Sequence, residues 1–186
     1  MAEFEEICES MKRAAGALRE AGIPFVLAGG LAGWARGGPA SDHDVDFVVR
    51  PEQAEDAIRV LGNGGMRTEK PPEGWLYKAF DGDVMIDVIY EPATGPVTDE
   101  VFERADEIEV LSTRMKVMAL EDIMATKLLA LNETHLDLKG SLEMARAVRE
   151  QVNWDEVRER TKGSPYAKAF FALVEELGVV TPASIG

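Results

Sequence analysis

The spacing of apolar residues changes several times along this chain, and each change marks a predicted element. Phe4, Ile7, Cys8, Met11, Ala14, Ala15 and Leu18 recur every three or four positions, which predicts an amphipathic helix that Gly22 and Pro24 terminate. Residues 25–28 form a short apolar run of strand length, and residues 31–35 read as a short helix entered through Gly29-Gly30. Val45, Phe47, Val48 and Val49 predict a second strand that Pro51 closes. A helix over 52–61 follows, with Ala54, Ala57, Ile58 and Leu61 on one face and four residues, Gly62-Asn63-Gly64-Gly65, to stop it. The segment 68–74, with Pro71-Pro72, reads as a loop. Residues 75–80 and 83–90 then predict two strands of a hairpin, with the turn at Asp81-Gly82. An irregular stretch opens at Pro92, and residues 108–111 read as a last strand. From Ala119 onward the pattern is helical, broken near Asn132, Asn153 and Gly163-Ser164-Pro165.

This order predicts an α/β fold: a small mixed β-sheet core with flanking helices, followed by a C-terminal helical subdomain. The division falls at residues 1–118 and 119–186, with a cleft expected between the two parts. A chain of 186 residues, 46% of them hydrophobic, is enough for one substantial core with a small helical annex. No internal repeat or low-complexity segment interrupts it.

Charge and composition narrow the partners. The formal net charge is −14, from 20 Lys and Arg against 34 Asp and Glu, and most of the excess lies before residue 119. A protein that grips nucleic acid through many phosphates presents a basic face, and the chain as a whole has none. Lys139, Arg146 and Arg149, or Arg158, Arg160, Lys162 and Lys168, form local clusters that read equally well as solvated helix faces. No apolar run reaches the length of a membrane span and the first residues carry no signal-peptide pattern, so a cytoplasmic protein without membrane contact is expected. Cys8 is the only cysteine, which excludes an internal disulfide and a cysteine-rich zinc site.

The candidate chemistry sits in three places. Gly29-Gly30 lies between a predicted strand and helix and permits close approach of a ligand to the backbone. Asp44 and Asp46 lie two apart at the start of the next strand, so both carboxylates point to one face and can share a metal ion. Asp87 interrupts the apolar run from Val84 to Ile89, where an uncompensated charge is costly and a metal ligand is not. Hard oxygen donors of this kind suit Mg2+, or Mn2+, bound together with a triphosphate. The pattern points to phosphoryl or nucleotidyl transfer.

Gly-Gly, then Asp-x-Asp on the following strand, then a lone Asp on a later strand, resembles the polymerase-beta-type nucleotidyltransferase superfamily. The run from Ala28 to Phe47 is similar to its small bacterial members, the minimal nucleotidyltransferases and the AbiE-type toxins. Residues 119–130 resemble the family's helix in which a lysine approaches the nucleotide, here Lys127. The resemblance implies Asp44, Asp46 and Asp87 as catalytic metal ligands. It further implies Gly29, Gly30, Arg36, Ser41 and Lys127 as nucleotide contacts, with a nucleoside triphosphate as substrate.

The function expected is metal-dependent transfer of a nucleoside monophosphate from the triphosphate to an acceptor hydroxyl. By resemblance the acceptor is a transfer-RNA 3′ end and the protein the toxin of a toxin–antitoxin pair. The alternatives are an antitoxin that modifies a protein partner, an enzyme acting on a small molecule such as an antibiotic, and an inactive binding module holding a structural cation. Simpler readings stand beside each site residue. Arg36 either reaches a triphosphate or pairs with Asp42, Ser41 either contacts phosphate or shapes a turn, and Lys127 either touches nucleotide or is an exposed helix residue. His135 and Asp137 serve either an acceptor or a helix junction, and Trp34 and Trp75 either stack on a base or pack.

Overall fold

The computed structural model describes residues 4–40 and 44–182. Seven strands form one mixed sheet: β1 (Val26–Ala28), β2 (Val45–Val48), β3 (Arg67–Glu69), β4 (Leu76–Asp81), β5 (Val84–Ile89), β6 (Asp106–Val110) and β7 (Thr113–Val117), in the order β3-β4-β5-β2-β1-β7-β6. β1 runs antiparallel to β2 and parallel to β7, while β2 runs parallel to β5. The outer pairs β3–β4, β4–β5 and β6–β7 are antiparallel. The mixed sheet expected from the sequence is therefore present, with two more strands than expected.

Eight helices surround it among the described residues: α1 (Phe4–Glu20), α2 (Gly29–Ala35), α3 (Ala54–Asn63), α4 (Asp99–Arg104), α5 (Leu120–Ala130), α6 (Leu138–Val148), α7 (Trp154–Thr161) and α8 (Pro165–Glu176). α1 buries the apolar stripe read from the sequence and packs with α3 against β2 and β5. Phe47, fully buried, meets Phe25 edge-to-face at 5.0 Å between ring centroids. The C-terminal helices surround α5, which buries Leu120, Asp122, Ile123, Met124, Ala125 and Leu128. None of the described helices is long and apolar enough to cross a membrane.

The breaks between these helices are set by caps. Asp137 accepts the Gly140 amide, Asn153 accepts that of Glu156, and Ser164 accepts that of Ala167 with Pro165 in the first turn. Three elements depart from expectation. β3 overlaps the start of the predicted loop; all its side chains are exposed, so it has no apolar signature and forms by pairing with β4. α4 lies in the predicted irregular stretch and buries only Phe102. β7 extends the sheet after β6 through Leu111 and Ser112, both with positive φ (50° and 65°), a turn geometry ordinarily announced by Asn-Gly.

A buried carboxylate joins α4, α5 and α7. Asp122 of α5, 3% exposed, accepts Arg104 Nε and NH2 at 2.9 Å each and also takes Arg160 of α7. Its two oxygens thus connect three helices, and truncation leaves two guanidinium groups facing each other. Asp122→Ala is expected to cost about 2–3 kcal/mol, read as a lower denaturant midpoint with an unchanged m-value.

Candidate active site

One rung of the sheet carries the charged side chains. Cα partners across four strands run Lys78 of β4, Asp87 of β5, Asp46 of β2 and Ala28 of β1, and the next residue after Ala28 is Gly29. Strand alternation places Val45 and Phe47 toward the opposite face and leaves Asp46 and Val48 on the cleft side. The parallel β2–β5 pairing then sets Asp46 and Asp87 side by side, each held by backbone hydrogen bonds on both flanks. Asp44 lies two residues before Asp46, close enough to act on its charge.

Gly29 is shaped by this rung. Its φ is +59°, and a Cβ added there would lie 1.7 Å from Asp46 Oδ2 and 2.6 Å from Cγ. The Asp46 carboxylate therefore occupies the space that any other residue's side chain would fill. Asp46 is also electrostatically loaded: burial, then repulsion from Asp87 and Asp44, pushes its pKa up to about 7, while Lys127 and Lys78 pull the other way.

A cleft of about 730 Å³ opens over the rung. Gly29, Asp46 and Val48 line one wall, and Ile123, Thr126 and Lys127 of α5 line the other. Glu73, Trp75 and Glu91 stand at its rim, with Trp75 40% exposed. The sheet floor and α5 thus bring Gly29, Asp46 and Lys127 to one space, while Asp44 and Asp87 are not among the residues that line it.

Asp87 is 8% exposed and its Oδ1 accepts Lys78 Nζ at 2.9 Å. Lys78 was not among the residues singled out in the sequence, although a turn one residue later, at Gly82-Asp83, sets it opposite Asp87. Gly30 opens α2 beside Gly29. Arg36 is placed differently from the phosphate role expected of it. Its Nε donates to the Met118 carbonyl at 2.6 Å and its NH2 to the Val117 carbonyl at 2.8 Å and to Asp106 at 2.9 Å. The chain leaves β7 at Val117 with carbonyls that need donors, and the planar guanidinium satisfies two of them. Ser41, with Asp42 and His43, lies outside the described residues. Asp137 caps α6 and His135 pairs with Asn132 through the backbone, so both build a helix junction. Trp34 packs edge-on against Phe4 at 5.1 Å.

The donors suit a hard divalent cation in kind: burial first, and then the neighbouring carboxylates of Asp87 and Asp44, drive Asp46 toward its protonated form. Among the described residues, however, no three His, Cys, Asp or Glu side chains converge on a single point. Asp87 is turned to Lys78 instead.

A family model described as an uncharacterised nucleotidyltransferase matches residues 5–175, and the chain belongs to that family. It is an enzyme of the nucleotidyltransferase class. No curated protein matches the chain. Among solved structures, the solution structure of the antibiotic-resistance factor ANT(2'')-Ia is similar at a TM-score of 0.60 and 16% identity, covering 92% of this chain and 96% of that one. A crystal structure of ANT(2'')-Ia in complex with adenylyl-2''-tobramycin gives 0.58 and 16%, over 89% and 97%. The protein JHP933 of Helicobacter pylori gives 0.55 and 17%, over 99% and 86%. At these identities the likeness is one of fold.

Two outcomes follow from the rung. Gly29→Ala must displace the Asp46 carboxylate and hold a strained φ, so it is expected to lower both thermal stability and turnover, as melting and steady-state rates would register. Asp46 binds a proton in the folded protein up to about pH 7 but in the unfolded chain only to about pH 4. Between these values the native state holds the extra proton, so metal-free stability falls as pH rises and the loss is complete above about pH 7. Asp46→Asn is expected to remove this decline, making the metal-free variant more stable than the parent at pH 8 in denaturant titrations.

Proposed function

We propose that the protein transfers a nucleoside monophosphate from a nucleoside triphosphate to a hydroxyl of a small acceptor molecule. The observation that carries this reading is the Asp46 carboxylate lying on the bare Cα of Gly29 and facing Lys127 across the cleft. The absence of a side chain at Gly29 lets the Asp46 carboxylate sit directly against the backbone turn that would meet the phosphates. Asp44 and Asp46 would hold Mg2+, or Mn2+, with Asp87 as third ligand. When bound, such a cation neutralises phosphate charge and favours departure of pyrophosphate. Lys127 adds a fixed positive charge from the α5 wall, and Asp87 orients the acceptor hydroxyl for in-line attack at the α-phosphorus. The new P–O bond forms as the bond to pyrophosphate breaks, and the hydroxyl proton passes to a carboxylate or solvent. Residues 1–118 supply the catalytic floor and residues 119–186 the opposing wall.

The rim favours a small acceptor. Glu73 and Glu91 flank an exposed Trp75 at the mouth of the cleft, in a chain of net charge −14. Two carboxylates beside an indole face suit a hydroxylated amine and repel a phosphate backbone. The structural neighbour solved with adenylyl-2''-tobramycin shares this fold. A transfer-RNA 3′ end, with a toxin–antitoxin role, was the acceptor implied by sequence resemblance, and the charge of the rim weighs against it.

Incubation with Mg2+ and each α-labelled nucleoside triphosphate, offered polyamine or aminocyclitol alcohols, total transfer RNA or protein lysate, tests the reading. Label is expected on the small molecules and is expected to fall by about a hundredfold or more with Asp44→Asn or Asp46→Asn. Label on RNA or on a protein band would move the acceptor to that class. No transfer to any acceptor, with no triphosphate binding, would overturn the reading.

A further inference from the structure

The rung that carries the acidic site holds a cation of its own, set between Glu69 of β3 and Asp87 of β5. Lys78 and Asp87 are Cα partners in the β4–β5 hairpin, and their side chains meet at 2.9 Å with exposures of 25% and 11%. Lys78 Nζ also lies 3.2 Å from Met85 Sδ, two residues before Asp87 on the same strand face. The ammonium is therefore gathered against β5 rather than extended to solvent. Elsewhere on the sheet the paired charges are mostly exposed, and their geometry is set by long, mobile side chains. This pair is set by backbone register.

We propose that Lys78 is a built-in placeholder cation, which occupies Asp87 in the metal-free enzyme and must be displaced for Asp87 to join Asp44 and Asp46 around a divalent ion. The proposal rests on the metal-site reading given above. It accounts for two observations together. Three carboxylates lie close enough for Asp44 and Asp87 both to act on Asp46, yet no three acidic side chains among the described residues converge on one point. One oxygen of Asp87 is committed to Lys78 and is not available to such a point.

The physical argument is a competition between two cations for one carboxylate. An ammonium is singly charged and cannot accept several oxygens in a fixed shell, whereas a divalent ion draws two or three carboxylates to itself. Lys78 stabilises the empty site by relieving the repulsion among Asp44, Asp46 and Asp87, and every gain it makes there is lost when the metal enters. The consequence is a site that binds the bare ion weakly and closes around it best when a nucleotide's phosphates arrive with further negative charge. Lys127 lines the opposite wall of the cleft and acts on Asp46 through its charge, whereas Lys78 holds an oxygen of Asp87 directly.

Mn2+ binding to the nucleotide-free protein, followed by the loss of the free-ion EPR signal, tests this directly. Lys78→Gln is expected to tighten Mn2+ about tenfold, since the like-charged competitor is gone while a neutral polar side chain, one atom shorter, remains. Lys78→Arg, which retains the charge and the fold, is expected to stay within about twofold of the parent. Asp87→Asn should weaken binding and abolish the gain from Lys78→Gln in the double variant. Equal Mn2+ affinity in the parent and Lys78→Gln, with Lys78→Arg folded and unchanged, would overturn the placeholder role and leave the metal site standing. No Mn2+ bound by parent or variants, with or without a non-hydrolysable triphosphate, would overturn the metal-site reading itself.

Discussion

Repulsion between like charges on adjacent strands is the constraint around which this molecule is organised. β2 and β5 pair in parallel with Asp46 and Asp87 in register, so their carboxylates emerge side by side from a floor of buried apolar residues. Such an arrangement costs free energy in any folded chain that leaves it uncompensated. The remainder of the fold answers that cost. β4 contributes Lys78 on the same rung, α5 contributes Lys127 from across the cleft, and Gly29 withdraws its side chain to leave room for an oxygen of Asp46. What stays unrelieved, added to the larger effect of burial, appears as a carboxylate with a proton affinity well above its usual value.

Holding that geometry requires the cleft's second wall to stay in place, and the Asp122 cluster does so. Asp122 and Thr126 lie four residues apart on α5, on one helix face, and Lys127 follows directly. Arg104 reaches Asp122 from α4 and Arg160 from α7, so the helix that presents Lys127 is fixed from the sheet side and from the C-terminal side at once. A buried charge bound by two arginines contributes little net stability compared with an apolar packing of equal volume, but it admits only one relative placement of the three helices. That specificity is what a site assembled from separate elements needs.

The fold was legible wherever burial dictates the residue pattern. α1 with its apolar stripe, the apolar strands β1, β2 and β5, and the capped helices α6 to α8 all carry their signals in sequence. β3 and α4 did not, because one is wholly exposed and the other buries a single side chain. The β6–β7 hairpin was hidden by its turn, since Leu111 and Ser112 adopt positive φ without a glycine or asparagine to announce it. At the site, the glycine turn and the aspartates were visible as exceptions to local apolar pattern. Lys78 was not, for a reason of register: a turn at Asp81-Gly82 sets Leu76 opposite Asp87, whereas the actual turn at Gly82-Asp83 sets Lys78 there. Arg36 reads in sequence as a cation near a glycine turn, and in the structure its donors go to backbone carbonyls at the end of β7 and to Asp106.

Fold similarity at 16 to 17% identity extends over nearly the whole chain, yet it bears unequally on the two halves of the chemistry. The nucleotide side rests on the sheet, where strand register and a glycine that tolerates no Cβ leave few solutions. The acceptor side rests on the residues after β3 and after β5, Glu73, Trp75 and Glu91, which contribute little to the core and are free to vary with the molecule they meet. Those rim residues carry the same sign as the chain as a whole, so the field that steers an acceptor toward the cleft and the contacts that would hold it there select for the same thing, a positively charged partner. On the proposed function, specificity lies in exposed loops and catalytic capacity in a rung of the sheet.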